Sequence, residues 1–181
     1  MFLVLVISPS IARADWNEER RYFEGGVADF GKAYGNAPKA TLLETDLDGK
    51  PVNPDEVARR PGSYLVGVTC MRFVAQLADQ AGDDFYRAAF KNVTTITCQY
   101  AHYYKGKRDK DIVMPSGNLP GGNPNGENEP ESDGKVIFLP EKGTSITSIK
   151  IIMNWGLGAG GHWQPVVGAS LHARFPQHAK R

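Results

Sequence analysis

From Pro115 to Gly134 the chain is rich in glycine, asparagine, proline and glutamate. Such a run buries too little apolar surface to offset the entropy of ordering it. It reads as a flexible surface loop or lid at about 115–134, so the core must be assembled from what lies on either side.

The first side is mainly helical. Trp16, Tyr22, Phe23, Val27, Phe30 and Tyr34 recur at spacings that predict one apolar helix face between Asp15 and Tyr34, with Gly25-Gly26 as a possible break. Phe73, Val74, Leu77, Ala78, Ala81, Phe85, Ala88 and Ala89 predict a second helix over Cys70–Phe90, capped by Thr69 and open to a split at Gly82-Asp83-Asp84. Short strands are expected at Ala40–Leu47, Tyr64–Val68 and Val93–Cys98, and a charged loop at Lys105–Lys110. Beyond the loop, Lys135–Leu139, Thr147–Asn154 and His162–Val167 read as strands, with Pro165 marking an edge or bulge in the last. The expected fold class is α+β: a helical N-terminal half packed on a C-terminal antiparallel sheet.

Residues 1–14 stand apart. Met1–Ile7 is apolar, Ser8–Ile11 follows, and Ala12-Arg13-Ala14 gives a small-x-small cleavage pattern. This reads as a signal peptide, too short to span a bilayer, with a buried N-terminal strand as the alternative. The working protein is then a single domain over 15–181, periplasmic or secreted, with no membrane span in the mature chain. At 181 residues it can bury roughly two-thirds of its unfolded surface without a metal or disulfide staple. The charge balance is net +1, and loss of Arg13 with the leader leaves it neutral. Nothing in that balance calls for nucleic acid as a partner.

Two cysteines carry the functional question. In an oxidising compartment Cys70 and Cys98 are expected to form a disulfide, worth about 3 kcal/mol on the chain-entropy account. The competing expectation makes Cys70 a nucleophile. A helix start stabilises a thiolate, and His162, directly after a glycine-rich loop, offers an imidazole base. One redox state cannot hold both arrangements. His102, His172 and His178 lack metal-ligand spacing with either cysteine, so no metal or cofactor is expected.

The stretch Ile149-Lys150-Ile151-Ile152-Met153-Asn154-Trp155, then Gly158-Ala159-Gly160-Gly161-His162-Trp163-Gln164-Pro165-Val166, resembles the histidine segment of phytochelatin synthases and, more widely, of papain-like cysteine peptidases. The resemblance implies a papain-like fold and a thiol hydrolase that cleaves a peptide amide, glutathione-like or short, through an acyl-enzyme. Carried onto this chain, Cys70 is the nucleophile and His162 the base, and the orienting third group is Asn154, another side chain such as Asp79, or absent. Cys70 sits in Val68-Thr69-Cys70-Met71-Arg72, not the family's Tyr-Cys-Gly, and no Gln precedes it to complete an oxyanion hole. The sequence thus leaves two functions: an exported cysteine peptidase or amidase acting on a small peptide substrate, or a non-catalytic, disulfide-bonded binding or inhibitor protein with an extracytoplasmic protein partner.

Overall fold

Helix α1 (Trp16–Tyr34) begins where Asp15 accepts hydrogen bonds from the amides of Asn17 and Glu18, both at 2.8 Å. It ends at Gly35, whose φ of 71° puts the cap in the left-handed region open to glycine. Phe23, Val27, Phe30 and Tyr34 form its buried stripe, while Tyr22 points outward at 42% exposure. Gly25-Gly26 does not break the helix. Gly25 faces open space, and Gly26 lets the helix that carries Met71 approach closely, since a Cβ there would lie 2.8 Å from Met71 Cγ.

These elements come from a computed structural model that describes residues 15–54, 66–101, 103–104, 107–108, 135–153 and 163–178. The leader and the 115–134 segment lie outside the described residues.

Helix α2 (Val66–Ala78) continues through a 3-10 turn (Asp79–Gly82) to helix α3 (Asp84–Phe90), which Asp83 caps through the amides of Phe85 and Tyr86. The expected split at Gly82–Asp84 is present. The start differs: Val66-Gly67-Val68 is helical, not strand, and Thr69 lies inside the helix rather than capping it. Packing against α1 overrides the β-branched preference of this run. Gly67 makes the approach possible, because a Cβ there would fall 2.0 Å from the carbonyl oxygen of Glu19.

Four strands form the sheet: β1 (Lys39–Leu42), β2 (Thr95–Tyr100), β5 (Lys135–Leu139) and β6 (Ser148–Met153), in the order β1-β2-β6-β5. The class is α+β, as expected, but the sheet is not the C-terminal antiparallel one. Strands β1, β2 and β6 run parallel, and only β5 is antiparallel to its neighbour β6. Two of the strands, β1 and β2, precede the 115–134 segment and are joined by the α2–α3 crossover that a parallel pair requires. A two-residue pair, β3 (Tyr103–Tyr104) with β4 (Lys107–Arg108), makes a separate hairpin where a charged loop was expected.

The second correction is at the C-terminus. Trp163–Arg174 is a helix, α4, where a strand was expected over His162–Val167. Val167 and Leu171 are buried one turn apart, and Phe175 follows at the same interval. Pro165 sits in the first turn, where an amide has no partner within the helix, so it costs no helical bond.

Ile96, Cys98, Tyr100, Ile149, Ile151, Met153, Val136 and Phe138 share one face of the sheet and form the core with the helices. The other face carries Lys39, Thr41, Thr95, Thr97, Ser148 and Lys150, all partly or fully exposed. No described helix is long and apolar enough to cross a membrane.

Candidate functional site

The connections send several elements to one end of the sheet. Helix α1 leads into the start of β1, so its own start lies at the far end, where the parallel strands finish. Contact between Glu19 and Gly67 brings the start of α2 to the same end. In open sheets with parallel strands, ligands bind beyond the strands' carboxyl ends, because the loops there converge.

Cys70 lies just over one turn into α2, and Cys98 lies on the core face of β2. They form a disulfide with a Cα–Cα distance of 6.1 Å, within the ordinary range. Both residues are fully buried. Cys98 is flanked in register by Leu42 and Ile151, so the bond fastens α2 to the middle of the sheet. A sulfur in a disulfide offers no thiolate, so nucleophilic chemistry at Cys70 requires prior reduction.

Glu19 is the residue that sequence reasoning missed. It is fully buried on the stripe that includes Phe23, one turn later. Its Oε2 accepts the Gly67 amide hydrogen at 2.5 Å, while Oε1 has no hydrogen-bond partner. Burial pushes its pKa up from 4.5 to about 7; the Gly67 amide opposes that rise, and the neighbouring charges of Glu18 and Asp15 add to it. The only signal in the sequence is a carboxylate four residues before Phe23, on the helix face predicted to be apolar. Thr69 Oγ1, also in the first turn of α2, is a second buried polar atom without a partner.

The other proposed catalytic positions, His162 and Asn154, lie outside the described residues. Asn154 directly follows the last residue of β6 and His162 directly precedes the first of α4. Asp79 opens the 3-10 turn at the far end of α2 from Cys70 and is exposed. His172 and His178 are exposed, and the His178 ring stacks on Phe85 with centroids 3.7 Å apart. Asp46, buried in the turn after β1, accepts the amides of Asp48 and Lys50, which fixes that turn under the side chain of Gln99. No group of three metal-ligating side chains occurs among the described residues.

Two surface grooves lie elsewhere. One, of about 810 Å³, runs between α1 and β1 past Val27, Gly31, Pro38 and Lys39. The other, of about 590 Å³, runs between β5 and α4 past Val136, Phe138, Val166 and Ser170. Neither is lined by Cys70 or Glu19. The chain matches no protein family model, no curated protein and no solved structure.

Proposed function

We propose that this protein is a disulfide-bonded binding protein that works outside the cytoplasm. The observation that carries the reading is the Cys70–Cys98 bond, buried between α2 and a central strand. Such bonds form and persist in oxidising compartments, and this one occupies the only thiol pair in the chain. The reading is tested by alkylating the native protein before and after reduction, then analysing it by mass spectrometry. Absence of label before reduction, with a linked Cys70–Cys98 peptide after digestion, is expected. A fast-labelling Cys70 in the native protein would defeat it.

A second reading, an exported cysteine peptidase or amidase of papain-like type, draws support from topology. Asn154 and His162 belong to the connection from β6 to α4, which starts at the same sheet end as the first turns of α2. In that reading a reduced Cys70 attacks a peptide amide, His162 takes the thiol proton and Asn154 orients the imidazole. Hydrolysis of glutathione or short peptides by the reduced protein, abolished in Cys70→Ser, is its expected signature. Identical turnover by Cys70→Ser and wild type would dismiss it.

A further inference from the structure

The sheet face turned away from the described helices carries lysines and hydroxyl side chains. Its register gives three cross-strand rows: Lys39, Thr95, Ser148 and Leu139; then Thr41, Thr97, Lys150 and Ile137; then Gln99, Ile152 and Lys135, of which Gln99 and Ile152 are buried and Lys135 alone is exposed. Three lysines occupy successive rows on β1, β6 and β5, so they cross the face as a diagonal. Strand spacing of about 4.8 Å and a two-residue rise of about 6.7 Å separate Lys39 from Lys150 by about 12 Å and Lys150 from Lys135 by about 8 Å. The rows contain no Asp or Glu. Among the described residues none of the three lysines has an ion-pair partner, whereas the acidic residues of the turn after β1 are engaged: Glu44 pairs with Arg20, Asp48 with Lys50, and Asp46 with backbone amides.

We propose that this face docks an extended acidic segment of a partner protein. Charge complementarity selects the occupant: carboxylates on one side of an extended chain recur at about 7 Å for every second residue and about 13 Å for every fourth, close to the two lysine spacings. Threonine and serine hydroxyls between the lysines supply hydrogen bonds to those carboxylates or to the backbone. Ile137 and Leu139, the latter 37% exposed, give apolar side chains of the segment a place at the β5 side. A nucleic acid fits less well, since the described residues of the face include no aromatic ring on which bases stack and the chain has net charge of only +1. The proposal rests on the binding reading above and names its partner.

The test uses the full oxidised protein and a fluorescein-labelled peptide of alternating glutamate and serine, followed by anisotropy. Binding that weakens as salt is raised is expected, because exposed charges separated by more than about 8–10 Å are largely screened at physiological ionic strength. Replacing Lys39, Lys135 and Lys150 together with glutamine should lower the affinity about tenfold, the sum of three exposed charge contacts. Lys91→Gln, on an exposed lysine away from this face, should leave it unchanged. Equal affinity of the triple variant and wild type would overturn the proposal. So would equally tight, lysine-dependent binding of single-stranded DNA, or a self-associated protein that the triple variant dissociates. Peptide binding that appears only after Glu127, Glu129, Glu131 and Asp133 are changed to amides would assign the face to the chain's own acidic run and overturn it too. Failure to bind in a preparation without a reactive thiol removes this docking face and leaves the binding reading standing; a reactive Cys70 in the same preparation removes that reading itself.

Discussion

The two ends of the sheet are stabilised by different means. Where β1, β2 and β6 begin, aromatic rings fill the interior: Phe30 and Tyr34 are 4.5 Å apart by ring centroid, Tyr34 and Phe90 5.3 Å, Phe90 and Phe138 5.5 Å. The buried hydroxyls at that end are satisfied, Tyr34 donating to the Leu77 carbonyl at 2.6 Å and Tyr86 to the His178 carbonyl at 2.9 Å. At the other end a covalent bond ties helix to sheet, and Glu19 Oε1 and Thr69 Oγ1 are buried without partners. A buried polar atom left unpaired costs about 1–3 kcal/mol. The aromatic end has an unpaired atom of its own in Asn36 Oδ1, so what sets the other, polar end apart is the covalent bond together with a buried carboxylate.

The sharpest way to break this contrast is to hollow the aromatic end. Phe90 is fully buried and touches the rings of Phe30, Tyr34, Tyr86, Phe138 and Phe175. Phe90→Ala should destabilise the protein by about 3–5 kcal/mol, read from the shift in denaturant midpoint. A loss below about 1 kcal/mol would mean that the cluster collapses around the gap and anchors little. At the polar end the matching change is Cys70→Ser, which releases the constraint on a chain separation of 28 residues and should cost about 3 kcal/mol. If that variant melts with wild type, the bond adds no stability and its role lies elsewhere.

The third test exploits Glu19. Its pKa is higher in the folded protein, about 7, than the ordinary 4.5, so the native state holds its proton more tightly than the unfolded state does. The stability that Glu19 contributes is fully present below pH 4.5 and is lost as pH rises through about 7, by roughly 3 kcal/mol at most. Glu19→Gln keeps the shape and an oxygen for the Gly67 amide but cannot ionise. Stability measured across pH 4–8 should slope down in wild type and lose that slope in the variant, which should be the more stable protein above neutrality. Parallel curves would mean that Glu19 is solvated and that the polar end is not strained by it.

How much of this contrast was legible in the sequence depends on how local its causes are. Helix α1 was readable because its stripe holds one period from Phe23 to Tyr34. Strands β2, β5 and β6 were readable from runs such as Thr95–Cys98 and Lys135–Leu139, whose residues favour a pleated surface. The start of α2 and the first part of α4, Trp163–Val167, were misread as strands, because a short apolar run such as Val66–Val68 or Val166–Val167 fits either period until its tertiary neighbours are known. Strand order was out of reach for a related reason: pairing of Ile96 with Ile149 joins residues far apart in the chain, and nothing local encodes it. The cysteines were identified, but whether they bond depends on a 6.1 Å approach that only the packing of α2 over β2 creates. Glu19 stayed hidden because one carboxylate beside an apolar stripe looks like a solvated edge until α2 closes over it.

The smallest effect tests the helix pair that joins the two ends. Gly25 and Gly26 are neighbours in α1 with opposite surroundings: a Cβ at Gly25 meets nothing within 4 Å, and one at Gly26 meets Met71 Cγ at 2.8 Å and Met71 Cα at 3.2 Å. Gly25→Ala should stabilise by up to about 1 kcal/mol, the helical preference of alanine over glycine. Gly26→Ala has the same intrinsic gain, but Met71 must move; its side chain is flexible and its backbone is not, so the net change should be near zero or a loss of about 1 kcal/mol. The difference in melting temperature between the two variants is the measurement. Equal gains would mean that α2 can back away from α1 at no cost. The Glu19–Gly67 contact depends on the same interhelical spacing, so Glu19 would then reach water and the pH slope attributed to it should vanish in Gly26→Ala as well.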